Sequence, residues 1–304
     1  MRLPGAGPGL GRGVVVLYLS IIVLLPLAAL LNQSLSQGIG HFWSQVSTGQ
    51  AKQSLELILV CSLIVAAINA FFGTIVAWLL VRDQFPGKSI INAIIDLPFA
   101  LPTIVASLIL IELWGRNSPV GIDIALTRTA IVVALCFVTL PFVVRAVQPL
   151  LIEMDRDMEE AAASLGAGGF TIFRRIIFPN LLPGLAAGVA LAFARALGEY
   201  GSVLLFAGGK PDTQVASIFI GQQIETGNET GAAAVAIVLL VMALVCLLLI
   251  TLFLRWGTRH ERAQGAGAGG LMTMPLADGG METLDTGADD IDTHVDPQEG
   301  DQRE

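Results

Sequence analysis

Arg195 and Glu199 stand four residues apart inside a long apolar run, ARALGEYGSVLLFAGG (194–209). On a helix that spacing puts both side chains on one face, within reach of each other. If the run crosses a membrane, a charge there costs roughly 2.5–3.5 kcal/mol on insertion, so each must face a partner or a wet cavity. Two readings are open. In one, the pair, with Tyr200 and Ser202 beside it, holds a gate or tunes the field of an anion path, Arg195 lowering the barrier for a dianion. In the other it is a structural ion pair that fixes helix orientation. A third charge, Asp96, lies in IIDLPFALPTIVASL (94–108), closely followed by Pro98, Pro102 and Thr103. Interior prolines remove helical hydrogen bonds and bend the chain. In lipid the freed carbonyls need partners within a bundle or a water-lined cavity, so these prolines shape either packing or a pathway. Arg145, near the end of another apolar run, is expected to snorkel to the interface.

Chemistry of other kinds finds little support. PGKS (86–89) resembles the end of a phosphate-binding loop, but that motif needs a glycine five residues before Gly87, and Arg82 stands there. His41, His260 and His294 have no metal-ligand partner at helical spacing. Cys61, Cys136 and Cys246 all fall inside apolar runs, as small buried hydrophobes. No nucleophile–base set is visible. The chain is therefore expected to be no enzyme and to hold no metal or cofactor of its own.

The elements that must position these residues follow from composition. Of 304 residues, 54% are hydrophobic and 14% charged, against about 25% charged in soluble domains. A helix needs about 20 residues to cross the hydrocarbon core. Six segments approach or exceed that: 14–31, 55–81, 90–114, 130–151, 182–206 and 232–254. GLAAG (184–188) places small residues four apart, which permits close helix approach. One set of connections carries Arg2, Arg12, Arg82, Lys88, Arg156, Arg174, Arg175, Arg255, Arg259 and Arg262; the other carries Lys52, Arg116, Arg128 and Lys210. The positive-inside rule then puts both termini, and the connection 152–181, in the cytoplasm. The net charge of −8 belongs to the tail: residues 263–304 hold ten acids and one arginine. Rich in Gly, Asp and Thr, and poor in large apolar residues, the tail is expected to be disordered. The expected organisation is a cytoplasmic N-terminus (1–13), an all-α six-helix membrane domain (14–257) and the acidic tail (258–304).

Within the 152–181 connection, MEEAAASLGAGGFTIFRRIIFP (158–179) is unlike its surroundings. Acids early and alanines after them predict a short helix over 153–165. The glycines of GAGG (166–169) end it, and a second helix over 170–178 is expected to stop at Pro179, whose ring restricts Phe178. Phe170, Phe173, Ile176 and Ile177 form an apolar stripe on that second helix, beside Arg174 and Arg175. The two pieces make an elbow that a groove on another protein could close around.

This elbow resembles the coupling loop of ABC-importer permeases, in which EAA is followed after three residues by G and after nine more by I-x-L-P. The matching residues are Glu160, Ala161, Ala162, Gly166, Ile176, Phe178 and Pro179, with phenylalanine at 178 where leucine is usual. The segments around Pro98, Pro141 and Glu199 are similar to sulfate/thiosulfate permeases; molybdate permeases share the R-x-x-G-E-[YF]-G element. The resemblance spans residues 14–255 and implies a type I importer fold in the plasma membrane. It also implies a second, related permease chain, two ATPase subunits that hold ATP and magnesium, and an extracytoplasmic sulfate-binding protein. Rival expectations are a molybdate or tungstate permease, an ion-coupled secondary anion transporter, and a membrane scaffold.

Overall fold

The computed structural model describes residues 8–269, with side chains over 11–252. Among them every regular element is helical, as lipid demands of a backbone that must bond within its own segment. Helix α1 (Pro8–Leu19) continues through a π-turn, Ser20–Leu24, into α2 (Leu25–Leu35). A short amphipathic α3 (Ile39–Val46) leads to α4 (Gly49–Arg82), where the Thr48 hydroxyl accepts the Ala51 amide and caps the helix. Then come α5 (Lys88–Ala100), α6 (Thr103–Trp114), α7 (Arg128–Glu153), α8 (Asp157–Ser164) and α9 (Gly169–Ile172). A second π-turn, Phe173–Ile177, joins α9 to α10 (Phe178–Leu197). The last three helices are α11 (Gly201–Phe206), α12 (Ala216–Glu225) and α13 (Glu229–Gly269).

Among the described residues, five stretches are long and apolar enough to cross a membrane: Gly11–Leu35, Gly49–Arg82, Arg128–Glu153, Gly169–Leu197 and Glu229–Leu252. The remaining expected span, 90–114, is not one helix. It comes as α5 and α6, separated where Leu101 and Pro102 turn extended, with ψ of 135° and 134°. Pro102 lacks an amide hydrogen and pushes Leu101 out of the helical region. Pro98, by contrast, is carried inside α5, and Pro141 and Pro149 inside an unbroken α7. The expected 182–206 helix is also two pieces, α10 and α11, parted at residues 198–200.

Helices α4, α7 and α10 pack on one another at the centre. One apolar cluster gathers Ile58, Ile131, Leu135, Phe193 and Phe206; a second gathers Leu80, Val144, Val147, Ile177 and Leu181. Between lipid-solvated helices the attraction comes from close packing and interhelical hydrogen bonds. Both occur. A methyl added at Gly184 or Gly188 would stand 2.7 Å from the Ala146 carbonyl oxygen or 2.9 Å from the Val143 Cα, so GLAAG lets α10 rest on α7. Asn69 Nδ2 of α4 donates to Thr139 Oγ1 of α7 at 2.8 Å. The N-terminal span differs: no residue in the 18-residue apolar core of Gly11–Leu35 is buried. Near its end Gln33 Nε2 donates to Glu229 Oε2 at 3.4 Å.

The chain divides into two units, residues 1–261 and 262–304. Helix α13 gives 258–269 a helical backbone, so the segment expected to be disordered from 258 begins as helix. The rest of that expectation, 270–304, lies outside the described residues.

Candidate functional site

The elbow begins where α7 ends at Glu153 and Met154 turns extended. Its first helix, α8, starts at Asp157 rather than 153, with Asp157, Glu159 and Glu160 in the first turn, where the helix dipole favours acids. Gly166 closes it in the left-handed conformation, φ 84°. The Ala167 amide donates to the Ala162 carbonyl at 3.0 Å and the Gly166 amide to the Ala163 carbonyl at 2.9 Å. This double bond pattern terminates a helix while satisfying its last carbonyls. The second arm corrects the sequence expectation, because Pro179 does not stop it. Helix is continuous over Gly169–Leu197. In the π-turn the Phe178 amide donates to the Phe173 carbonyl, five residues back, and Pro179 then falls in the first turn of α10, where its missing donor is tolerated.

Glu160, Ala161 and Gly166 are exposed, Ala162, Ile176 and Pro179 are half-buried, and Phe178 is 39% exposed. Two large apolar side chains crown the bend, Leu165 at 89% and Phe170 at 76% exposure. The stripe predicted on the second arm is thus divided. Phe170 points outward, while Ile177 is buried and Phe173 packs edge-on to Trp78 at 5.9 Å. Arg82, at the end of α4, ties α8 to the bundle: it forms an ion pair with Glu159, and its guanidinium lies 5.4 Å from the Trp78 ring centre. Sequence reasoning assigned Arg82 no partner; it lies 77 positions from Glu159, and no spacing rule reaches so far.

The membrane-embedded polar residues fall into two groups. In the first, Arg195 and Glu199 are in ionic contact. Glu199 is 1% exposed, and its Oε1 accepts the Ser202 amide at 2.8 Å. Ser217 Oγ donates to the Glu199 carbonyl at 2.5 Å, and Ser107 Oγ lies 2.6 Å from the Gly201 carbonyl and 2.7 Å from that of Ser202. A methyl at Gly201 would stand 2.2 Å from Thr103 Oγ1, and one at Gly221 would stand 3.2 Å from the Tyr200 ring. Thr103, Arg195, Glu199, Tyr200 and Ser202 therefore converge where α6, α10, α11 and α12 meet.

Asp96 and Pro98 belong to the second group, on α5, and Pro102 marks the break between the two. Arg145 of α7 does not snorkel. Its Nε and Nη2 donate to the two Asp96 oxygens at 2.8 and 2.5 Å. Its Nη1 donates to Asn92 Oδ1 at 3.2 Å and to Gln148 Oε1 at 2.5 Å, and Nη2 also reaches the Asn92 carbonyl at 3.1 Å. Residues 49 positions apart gave no sequence signal beyond two opposite charges in neighbouring apolar runs. Opposite charges in neighbouring membrane segments are stabilised by pairing, and that argument alone could have joined them.

The family described as binding-protein-dependent transport system inner membrane component matches residues 70–260. The chain is 43% identical over 255 residues to the sulfate transport system permease protein CysT of Synechocystis sp., across 81% of this chain and 89% of that one. It is 39% identical over 266 residues to the protein of the same name from Escherichia coli, across 84% and 95%. Among solved structures, a bacterial alginate ABC transporter with its periplasmic protein aligns with a TM-score of 0.69 at 17% identity, over 80% of this chain and 92% of that one. An amino acid ABC transporter aligns at 0.52 and 21% identity, over 70% and 97%. At those identities the likeness is one of fold: the type I ABC-importer permease fold. The chain belongs to the family of binding-protein-dependent transport system inner membrane components, multi-pass permeases of ABC importers.

Proposed function

We propose that this chain is a permease subunit of an ATP-driven importer that moves sulfate, and thiosulfate with it, inward across the plasma membrane. The observation that carries the reading is the exposed elbow, a complete EAA–G pattern folded as a small helix, a left-handed glycine and a second helix continuous with α10. The cargo follows the sulfate permeases to which the chain is 39–43% identical. A second, related permease completes the path. Two ATPase subunits, carrying ATP and magnesium, close on the elbows, and an extracytoplasmic sulfate-binding protein delivers the anion. The positive-inside count supports cytoplasmic termini and a cytoplasmic elbow. ATP binding draws the elbows inward and opens the path outward; hydrolysis resets it. A continuous helix from elbow to bundle centre suits that motion, because a push at Gly169 is carried along one helical path to Leu197.

Arg195 and Glu199 act in this reading as a brace. Glu199 is too buried to exchange partners with water, and an arginine leaving it would strand a carboxylate. Glu199 holds the start of α11 through the Ser202 amide, and Ser107 of α6 donates to the Gly201 and Ser202 carbonyls, so the two split spans are held together beside Thr103 and Tyr200. Asp96, Pro98 and Pro102 lie at the hinge of the third span.

The test is ATP-dependent uptake of radiolabelled sulfate in vesicles carrying this chain with its co-expressed partners, against excess thiosulfate and molybdate. Uptake inhibited by thiosulfate and barely touched by molybdate is expected. Strong molybdate inhibition moves the cargo to molybdate, and uptake driven by an ion gradient without ATP overturns the mechanism.

A further inference from the structure

We propose that Arg145 is an oxyanion-binding residue of the transport path, and that Asp96 occupies its guanidinium between cargoes. The inference rests on the sulfate-importer reading above. A guanidinium edge that offers two parallel N–H donors to a carboxylate offers them equally well to two oxygens of a tetrahedral oxyanion. Arg145 presents that edge through Nε and Nη2, at 2.8 and 2.5 Å from the Asp96 oxygens. Its Nη1 is anchored separately by Asn92 and Gln148, both neutral. Asn92 shares α5 with Asp96 and also accepts from Nη2 through its carbonyl, whereas Gln148 lies on α7 with the arginine and holds Nη1 in place when the carboxylate leaves.

Asp96 is free to leave. Its side chain is 49% exposed and that of Arg145 33%, and among the described residues Asp96 accepts hydrogen bonds from Arg145 alone. A charge pair inside a membrane domain faces the bundle interior or a wet cavity rather than hydrocarbon. The other embedded pair contrasts on this point: Glu199 is 1% exposed and has no water to move into. The backbone permits the exchange too. Helix α5 has one buried residue, Ile95, and ends at the extended pair Leu101–Pro102, so it can shift without dragging α6. Exchange also limits residence. Once sulfate takes the fork, the released carboxylate stands beside a dianion and repels it, which suits a conduit that must let go.

The experiment measures direct binding of radiolabelled sulfate to the purified complex in lipid nanodiscs, without the binding protein. Wild type is compared with Asp96→Asn and with Asp96→Asn combined with Arg145→Gln; Asp96→Ser replaces Asp96→Asn if the latter fails to assemble. Removing a half-exposed competitor should tighten sulfate binding about fivefold. The gain should vanish in the double variant and be absent for chloride. A Kd unchanged by Asp96→Asn and Asp96→Ser, or a gain that survives Arg145→Gln, overturns the proposal. Wild-type ATP-dependent sulfate uptake is measured in parallel. Uptake with no gain in binding sinks this inference alone; no sulfate uptake sinks the reading beneath it.

Discussion

Replacing Gly166 tests whether the bend of the elbow is the coupling device. An added Cβ meets no atom within 4 Å, so the substitution carries no steric penalty and acts only through the backbone. At φ 84° an alanine costs about 1–2 kcal/mol relative to glycine. That lowers the population of the native bend about 5- to 30-fold. Asparagine, which tolerates the left-handed region, should cost less. Proline is worse than alanine, because its φ is fixed near −65° and it loses the amide that donates to the Ala163 carbonyl. The neighbouring Gly168 is the control: its φ is −70° and it too has nothing near its Cβ, so Gly168→Ala should leave coupling within twofold of wild type, a margin of about 0.4 kcal/mol. The assay is sulfate transported per ATP hydrolysed by reconstituted complex in proteoliposomes. The expected order is wild type, then Asn, then Ala, then Pro, with membrane insertion intact throughout. An unchanged ratio in Gly166→Ala and Gly166→Pro would refute the reasoning.

Glu160→Lys reverses a charge on the exposed face of α8 and should likewise uncouple hydrolysis from uptake in the same assay. Arg82→Gln removes the tie between α4 and α8; uptake should fall several-fold, and limited proteolysis should cut the elbow faster than in wild type. Gly201→Ala forces a methyl against Thr103 Oγ1; overpacking of this kind costs about 1–3 kcal/mol and should lower the thermal midpoint of the complex. Thr139→Val removes the acceptor for the buried Asn69 amide and should cost about 1 kcal/mol, read from the same melting curve.

Sequence alone reached the apolar segments, because a length near 20 residues is set by the bilayer itself. It reached the elbow because acids, alanines and glycines in that order leave few conformations. Which prolines break a helix was less legible. Pro98, Pro102, Pro141 and Pro179 look alike in the chain, yet only Pro102 coincides with a break. Pro179 follows a π-turn that absorbs the missing donor, and such a turn has no signature in local propensity. Tertiary pairs were the blind spot. Arg195 and Glu199 could be paired because helical spacing links them. Arg145 with Asp96, and Arg82 with Glu159, meet only once α7 packs against α5 and the elbow folds back to α4.

The bare first span fixes little of its own position. With no residue of its apolar core buried against the bundle, and a contact near its end where Gln33 meets Glu229, its tilt is set by whatever lies along its flank in the membrane rather than by the chain it leads.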